Sequence, residues 1–268
     1  KITSVVTPIA DEFEQIKEEA NGGMDYNLYT PADTSKPQPI VIAFHGYGDN
    51  ENLYQNKLAV AWATPENQAE RPCYVLAPNV TSYFSGSYRT ALYEKVMALV
   101  NEMVEAGKVD PERIYVVGKS FGGAAVYEFS SKYVEDVAGA IAMCGAASYL
   151  GVKTPTIETL VDTPLWIAHA TTDGTVGVTD SRTVYETLVN AGSEVVKFKE
   201  YSDEEMIAAG VTAAMGNHSV EVPVLEDVQY MEWLFKQNNL VEEVIVNTTV
   251  KPSGQCLETI EITVKDAE

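Results

Sequence analysis

Cysteine, histidine, basic charge and long apolar runs are all scarce in this chain, and each scarcity removes a class of protein. Among 268 residues there are three cysteines, Cys73, Cys144 and Cys256. Their count is odd, their spacing is wide and no Cys-x-x-Cys occurs, so neither a full disulfide framework nor a zinc site is expected. Cys73 and Cys144 lie in strand-like apolar runs and read as small buried hydrophobes. No apolar stretch approaches the roughly 20 residues that span a bilayer, so no membrane span is expected. Eighteen basic residues face 39 acidic ones, a net charge of −21. Such a surface repels phosphate backbones and anionic lipid, which argues against a nucleic-acid partner and favours neutral or cationic substrates. The acids are scattered, as on a solvated surface. Only three histidines occur, His45, His169 and His218, so histidine chemistry has few candidates. No internal repeat is found. No signal peptide is visible, but the chain opens at Lys1, which leaves room for a removed export signal. A secreted or cell-surface bacterial protein is the expectation, with a cytoplasmic one as the alternative.

What is present suits one large core: 46% of the residues are hydrophobic. One α/β domain over residues 1–240 is the default at this length. Ile2 to Ile9 reads as a strand, and Met24 to Thr30 alternates like a half-exposed one. The two are expected to open a mixed sheet in antiparallel fashion. Pro39 to Phe44, Cys73 to Pro78, Arg113 to Val117, Val137 to Met143 and Pro164 to Ala170 are apolar runs suited to buried parallel strands. Val195 to Tyr201, with Lys197 and Lys199, reads as a strand nearer the sheet edge. Helices are expected near Leu58 to Ala63, over Ser87 to Ala106 with Gly107 as C-cap, behind Ser120 to about Tyr133, over Thr179 to Ala191 capped by Gly192, and over Val222 to Asn238. Alternating strands and helices imply a mostly parallel sheet covered on both faces. Residues 241–268 form a β-rich C-terminal extension. Its runs Val241 to Val250 and Cys256 to Val264 read as a hairpin, which could pair with the N-terminal strands or begin a further module.

One stretch concentrates the chemistry. Arg113-Ile114-Tyr115-Val116-Val117 runs into Gly118-Lys119-Ser120-Phe121-Gly122-Gly123, and a helix follows. A turn this sharp between strand and helix strains the backbone at the serine. Side chains two positions before and after would collide, so Gly118 and Gly122 fit there. Ser120 Oγ is thereby lifted above the sheet edge, at a helix N-terminus that favours developing negative charge. The competing reading is a glycine-rich turn that binds phosphate.

A serine hydroxyl needs a base, and the base needs an orienting group. His45, Ser120 and Asp173 each follow a strand end, where ligands sit in such sheets. Asp173 lies at a strand end with Gly174 to permit the turn; Asp162 and Asp180 compete but do not lie directly at one. His218 is the one histidine downstream of Asp173, which gives the chain order serine, acid, histidine. His45 opens His45-Gly46-Tyr47-Gly48. There the backbone N–H of Tyr47 pairs with that of Phe121 as a candidate oxyanion hole, while the His45 ring braces the loop. His169 reads as a satisfied core or rim histidine.

Together these features resemble the α/β-hydrolase-fold serine esterases, the branch that holds polyhydroxybutyrate depolymerase-like, feruloyl esterase and prolyl-oligopeptidase-like enzymes. His45-Gly46-Tyr47-Gly48, Asp110-Pro111-Glu112 with the Ser120 turn, Met143-Cys144-Gly145, and Pro164 to His169 with Asp173-Gly174-Thr175-Val176 carry the resemblance, over about residues 24–238. It implies Ser120, Asp173 and His218 as a triad that hydrolyses carboxylic esters with no cofactor and no metal. It makes a small-molecule or polysaccharide-linked ester the expected partner. Alternatives are a serine peptidase of the prolyl-oligopeptidase-like branch and a non-catalytic binding module on the same fold. Three features depart from the family pattern: Lys119 inside the turn, Asn217-His218-Ser219 around the base, and the longer segment Asp203 to Gly216. The loop Thr81 to Arg89 carries Tyr83, Phe84 and Tyr88, expected to wall a site for short or aromatic acyl groups beside Tyr47. The competing reading is that these rings pack the loop onto the body.

Overall fold

The computed structural model describes residues 9–17, 23–48, 53, 57–213 and 215–239, and the backbone of two further strands at 244–247 and 261–264. The first described elements are a 3-10 turn at Ile9–Glu12 and strand β1, Glu14–Ile16. The strand expected over Ile2 to Ile9 falls outside the described residues apart from Ile9, which opens that turn. β1 pairs antiparallel with β2, Tyr26–Tyr29, so the mixed sheet does open on an antiparallel pair. Asn27 rather than an apolar residue is the most buried position of β2, so its alternation is less regular than expected.

β3 (Gln38–Phe44) is buried at every position. Ile40, Ile42 and Phe44 enter one core while Val41 and Ala43 enter a second on the opposite face, as the two-residue period of a strand requires. Helices α1 (Lys57–Val60) and α2 (Pro65–Glu70) follow, joined by a 3-10 turn at Ala61–Ala63. β4 (Tyr74–Pro78) then leads to α3 (Gly86–Glu105). Gly107, at φ +70°, ends α3 as expected, with Lys108 N–H donating to the Met103 carbonyl at 2.9 Å. The rest of the body comprises β5 (Val109–Lys119), α4 (Phe121–Lys132), β6 (Val137–Met143), α5 (Ala147–Leu150), α6 (Thr154–Glu158), β7 (Leu165–Ala170), α7 (Thr179–Ala191), β8 (Val196–Tyr201), α8 (Asp203–Ala208), α9 (Glu221–Glu226) and α10 (Val228–Leu234).

The single helix expected over Val222 to Asn238 is two. Asp227 breaks it with an extended backbone, and its side chain accepts the Gln229 N–H to cap α10.

The sheet order is β1-β2-β4-β3-β5-β6-β7-β8. β4 through β8 run parallel, with antiparallel pairs at the β1 end. α3, α4 and α7 pack on the face of Ile40, Ile42 and Phe44; α1, α9 and α10 pack on the other. Register brings Phe44 beside Gly118, Lys119 beside Met143 and Met143 beside Ala168. The carboxyl ends of the four central strands therefore share one edge. His45, Ser120, Cys144 and the turn after Ala170 begin there. β9 (Val244–Asn247) and β10 (Glu261–Val264) pair with each other as a separate antiparallel two-stranded sheet. Hairpin pairing in the extension is thus as expected.

Candidate active site

Ser120 joins β5 to α4 with φ +57° and ψ −119°, a backbone that non-glycine residues rarely adopt. Close packing dictates the glycines around it. A Cβ on Gly118 would lie 2.1 Å from the Gly122 carbonyl oxygen, and one on Gly122 would lie 2.0 Å from the Phe44 carbonyl oxygen. The Ser120 N–H donates to the Met143 carbonyl at 2.9 Å, and its carbonyl accepts from Ala124 and Ala146. Phe121 is the first residue of α4, where N–H groups have no partner inside the helix. Its ring lies 5.6 Å from that of Tyr47, which sets the His45–Gly48 loop against the start of the helix.

His45 is buried and braces that loop, as expected from the sequence. Its Nδ1–H donates to the Gly46 carbonyl at 2.6 Å, and its Nε2 accepts the Val80 N–H at 2.9 Å. The Tyr83 hydroxyl donates to the His45 carbonyl, and the Tyr83 ring is 2% exposed.

Asp173 sits in the turn after β7 with a side chain closed to water. Oδ1 accepts the N–H groups of Thr175 at 2.8 Å and Val176 at 3.0 Å. Oδ2 lies 2.8 Å from His218 Nδ1 and 3.3 Å from His169 Nε2. Burial alone would push this carboxyl up; the bonds from His169, His218, Thr175 and Val176 outweigh it and hold the group well below the usual carboxylate range. An ionised Asp173 only accepts, so His218 Nδ1 carries a proton and its Nε2 offers a lone pair.

The loop that holds His218 is fastened at three points. Asn217 donates to Asp203 Oδ1 at 2.8 Å and also bonds Thr172. The Cys144 thiol lies 3.7 Å from the His218 carbonyl. Lys119 Nζ pairs with Glu221 at 2.8 Å, so the unusual lysine of the turn reaches the first residue of α9. α8 within the same segment carries a capping box between Ser202 and Glu205, which periodicity over so few residues does not reveal.

Cys144, Asp173 and His218 each bring one ligand atom within 4.8 Å of the others. Burial pushes the Cys144 thiol far above its ordinary range despite Lys119 nearby. The Asp173 and His218 atoms are committed to each other. Cys73 is likewise a free buried thiol, pushed by burial up to about 12.

Of the rings expected to wall the site, the structure treats each differently. Tyr83 is buried under the His45 loop. Tyr88 is part-buried, and its hydroxyl accepts from Thr81 Oγ1 at 2.9 Å. Phe84 is 66% exposed, beside Tyr47 at 69% and Tyr149 at 58%. Tyr47, Phe84 and Tyr149 all contact the Phe121 ring, with centroids 5.6, 5.1 and 6.2 Å away. Tyr149, on the short helix α5, was missed in the sequence; its place just after Met143-Cys144-Gly145, at a strand end, was the available signal. Buried Arg89 fixes the ring loop to α4 through a two-point ion pair with Glu128, both contacts at 2.7 Å, and donates to the Tyr83 carbonyl.

A parallel sheet with an antiparallel start, a serine on a strained strand-to-helix turn, and an Asp–His pair on the same edge define an α/β-hydrolase fold. Residues 88–212 match the phospholipase/carboxylesterase family model. A crystal structure of a thermostable esterase superposes with a TM-score of 0.71 at 28% identity, over 86% of this chain and 64% of that one. Among curated proteins, a bifunctional acetylxylan esterase/xylanase of Neocallimastix patriciarum is 23% identical over 59% of this chain. A dipeptidyl-peptidase 5 of Porphyromonas gingivalis is 27% identical over 52% of it. This chain spans 22% of the length of either curated relative. The chain therefore has the α/β-hydrolase fold, and its likeness is to proteins of that fold, esterases among them. Among the described residues, no helix is long and apolar enough to cross a membrane.

Proposed function

We propose that the chain is a serine carboxylesterase that hydrolyses short-chain or aromatic acyl esters through an acyl-enzyme. The observation that carries this reading is a serine held at positive φ on the strand-to-helix turn, on the same sheet edge as a 2.8 Å His218–Asp173 bond made through His218 Nδ1, which leaves Nε2 free of that partner. His218 Nε2 takes the Ser120 proton as Oγ attacks the ester carbonyl. Asp173 holds the tautomer and stabilises the imidazolium. The Tyr47 and Phe121 N–H groups receive the negative charge on the carbonyl oxygen. His218 then protonates the leaving alcohol, and water releases the acid. The exposed rings of Phe84, Tyr47 and Tyr149 supply an apolar, aromatic surface beside the serine. The Tyr83 ring packs against Phe121 at 5.7 Å, and Tyr88 bonds Thr81 within the ring loop.

Ser120→Ala should lower kcat on p-nitrophenyl acetate by several decades, as loss of one member of a triad does. Retention of more than a tenth of the parent activity would sink the assignment. A panel of p-nitrophenyl esters should show short acyl chains preferred over long ones.

The likeness to a dipeptidyl-peptidase favours a second reading, a serine peptidase that uses the same three residues. Cleavage of dipeptidyl anilides at rates matching the ester panel would establish it, whereas ester turnover without anilide cleavage supports the esterase.

A further inference from the structure

His169 is fully buried in β7 and touches no solvent-facing surface, yet it reaches the carboxylate that orients His218. Its Nε2 lies 2.9 Å from the Val176 carbonyl oxygen and 3.3 Å from Asp173 Oδ2, and its Nδ1 lies 2.7 Å from Ser181 Oγ. A carbonyl only accepts, so the proton sits on Nε2 and the Ser181 hydroxyl donates to Nδ1. The Nε2–H is given to the Val176 carbonyl, and Nε2 also lies 3.3 Å from the same oxygen that accepts from His218. Asp173 Oδ1 is already fixed by two backbone N–H groups.

We infer that His169 is a positioning residue: with Ser181 of α7 behind it, it fixes Asp173 Oδ2 in the orientation that aims His218 at Ser120. The inference rests on the triad proposed above. Both side chains of the His169–Asp173 contact are closed to water, so solvent does not replace a lost donor. Oδ1 keeps its two backbone donors, so without His169 it is Oδ2 that can shift about that anchor, and the His218 ring shifts with it. A displacement of about 1 Å at a reacting group can cost about 100-fold in rate. Substrate binding is left alone, because His169 lies beneath the surface that a substrate meets.

Two amides separate this role from plain packing. His169→Gln can place an N–H near the position of imidazole Nε2. His169→Asn can keep a partner for Ser181 but does not reach Asp173. With p-nitrophenyl acetate, measured below the melting temperature of the least stable variant, H169N should lose about tenfold or more in kcat with KM within about twofold. H169Q should keep at least about a third of the parent kcat, and fluorophosphonate labelling of Ser120 should slow in the same order. Ser181→Ala frees Nδ1 to take the proton, and should lower kcat by about threefold with KM unchanged. It carries the test if H169N does not fold. Equal losses in H169N and H169Q, or parent kcat in H169N or in S181A, would overturn the inference and leave His169 a core histidine. Ser120→Ala belongs in the same series. Labelling that persists in it would fail the triad itself, whereas an unlabelled S120A beside a fully active H169N would fail only the role of His169.

Discussion

A carboxylate closed to water is an unusual charge to keep in a protein, and Asp173 keeps it with three hydrogen bonds and the His169 ring nitrogen 3.3 Å away. Burial works against the charge, and these partners more than offset burial, so its folded pKa lies below the unfolded value. The folded state therefore binds fewer protons than the unfolded state over the window between the two. Stability from this group is fully present above the ordinary carboxylate value of about 3.9 and is lost as pH falls toward the folded value. Asp173→Asn leaves Oδ1 to its two N–H donors but can set an amide NH2 against the imidazole donors. The expected outcome is a melting temperature lower by roughly 3–10 °C at pH 7, with the deficit shrinking below about pH 4 as the parent loses its advantage. Melts across that range check it; a deficit independent of pH would refute the linkage. Activity should fall by several decades, since a misdirected tautomer removes the base. Asp173 could be picked out from the sequence because a glycine follows it at a strand end. The reach of His169 could not. It depends on a turn folding Asp173 back over the strand, and a histidine four residues earlier carries no mark of that in its neighbours.

At the level of elements, the site is assembled by contacts between segments far apart in the chain. Lys119 ends β5 and Glu221 begins α9, so their ion pair ties the serine turn to the loop that carries His218. Their side chains are 19% and 17% exposed, and Glu221 Oε2 is buried with no protein partner among the described residues. The pair is about four-fifths covered, so it is not the freely solvated kind that contributes nothing, and it can set where His218 stands. Lys119→Met should therefore lower kcat by about 3–10-fold and the melting temperature by only a few degrees. The charge-swapped variant Lys119→Glu/Glu221→Lys should recover most of the kcat. If the swap recovers nothing, the pair does not position the loop. Elements with strong local signals were legible to within a residue or so: α7 ends at Gly192 and α3 ahead of Gly107, where left-handed glycines close the last turns. Short helices were not. α5, α6 and α8 span four to six residues, too few for an apolar period to declare itself. The split between α9 and α10 turned on whether Asp227 would cap a new helix or ride along one, a choice made by packing rather than by propensity.

Among the described residues, the body is built on one eight-stranded sheet, and β9 with β10 forms a second, two-stranded one. β8 forms one edge and β1 the other, and neither pairs with β9 or β10 among the described residues. The body has its own last anchor ahead of that hairpin: the Asn239 N–H donates to the Glu112 carbonyl at 3.0 Å, and Leu234 fills the core over β6. A two-stranded hairpin alone is marginal in water. Its four-residue pairing contributes no ladder to the sheet that carries Ser120, Asp173 and His218. The prediction at this scale is that truncation after Asn239 leaves the main melting transition within about 2 °C of the parent, and kcat/KM on p-nitrophenyl acetate within about twofold. The opposite outcome is specific too. A fall of more than about 5 °C, with new apolar surface detected by dye binding, would mean that the extension covers part of the body and that residues 1–239 are not the complete folding unit.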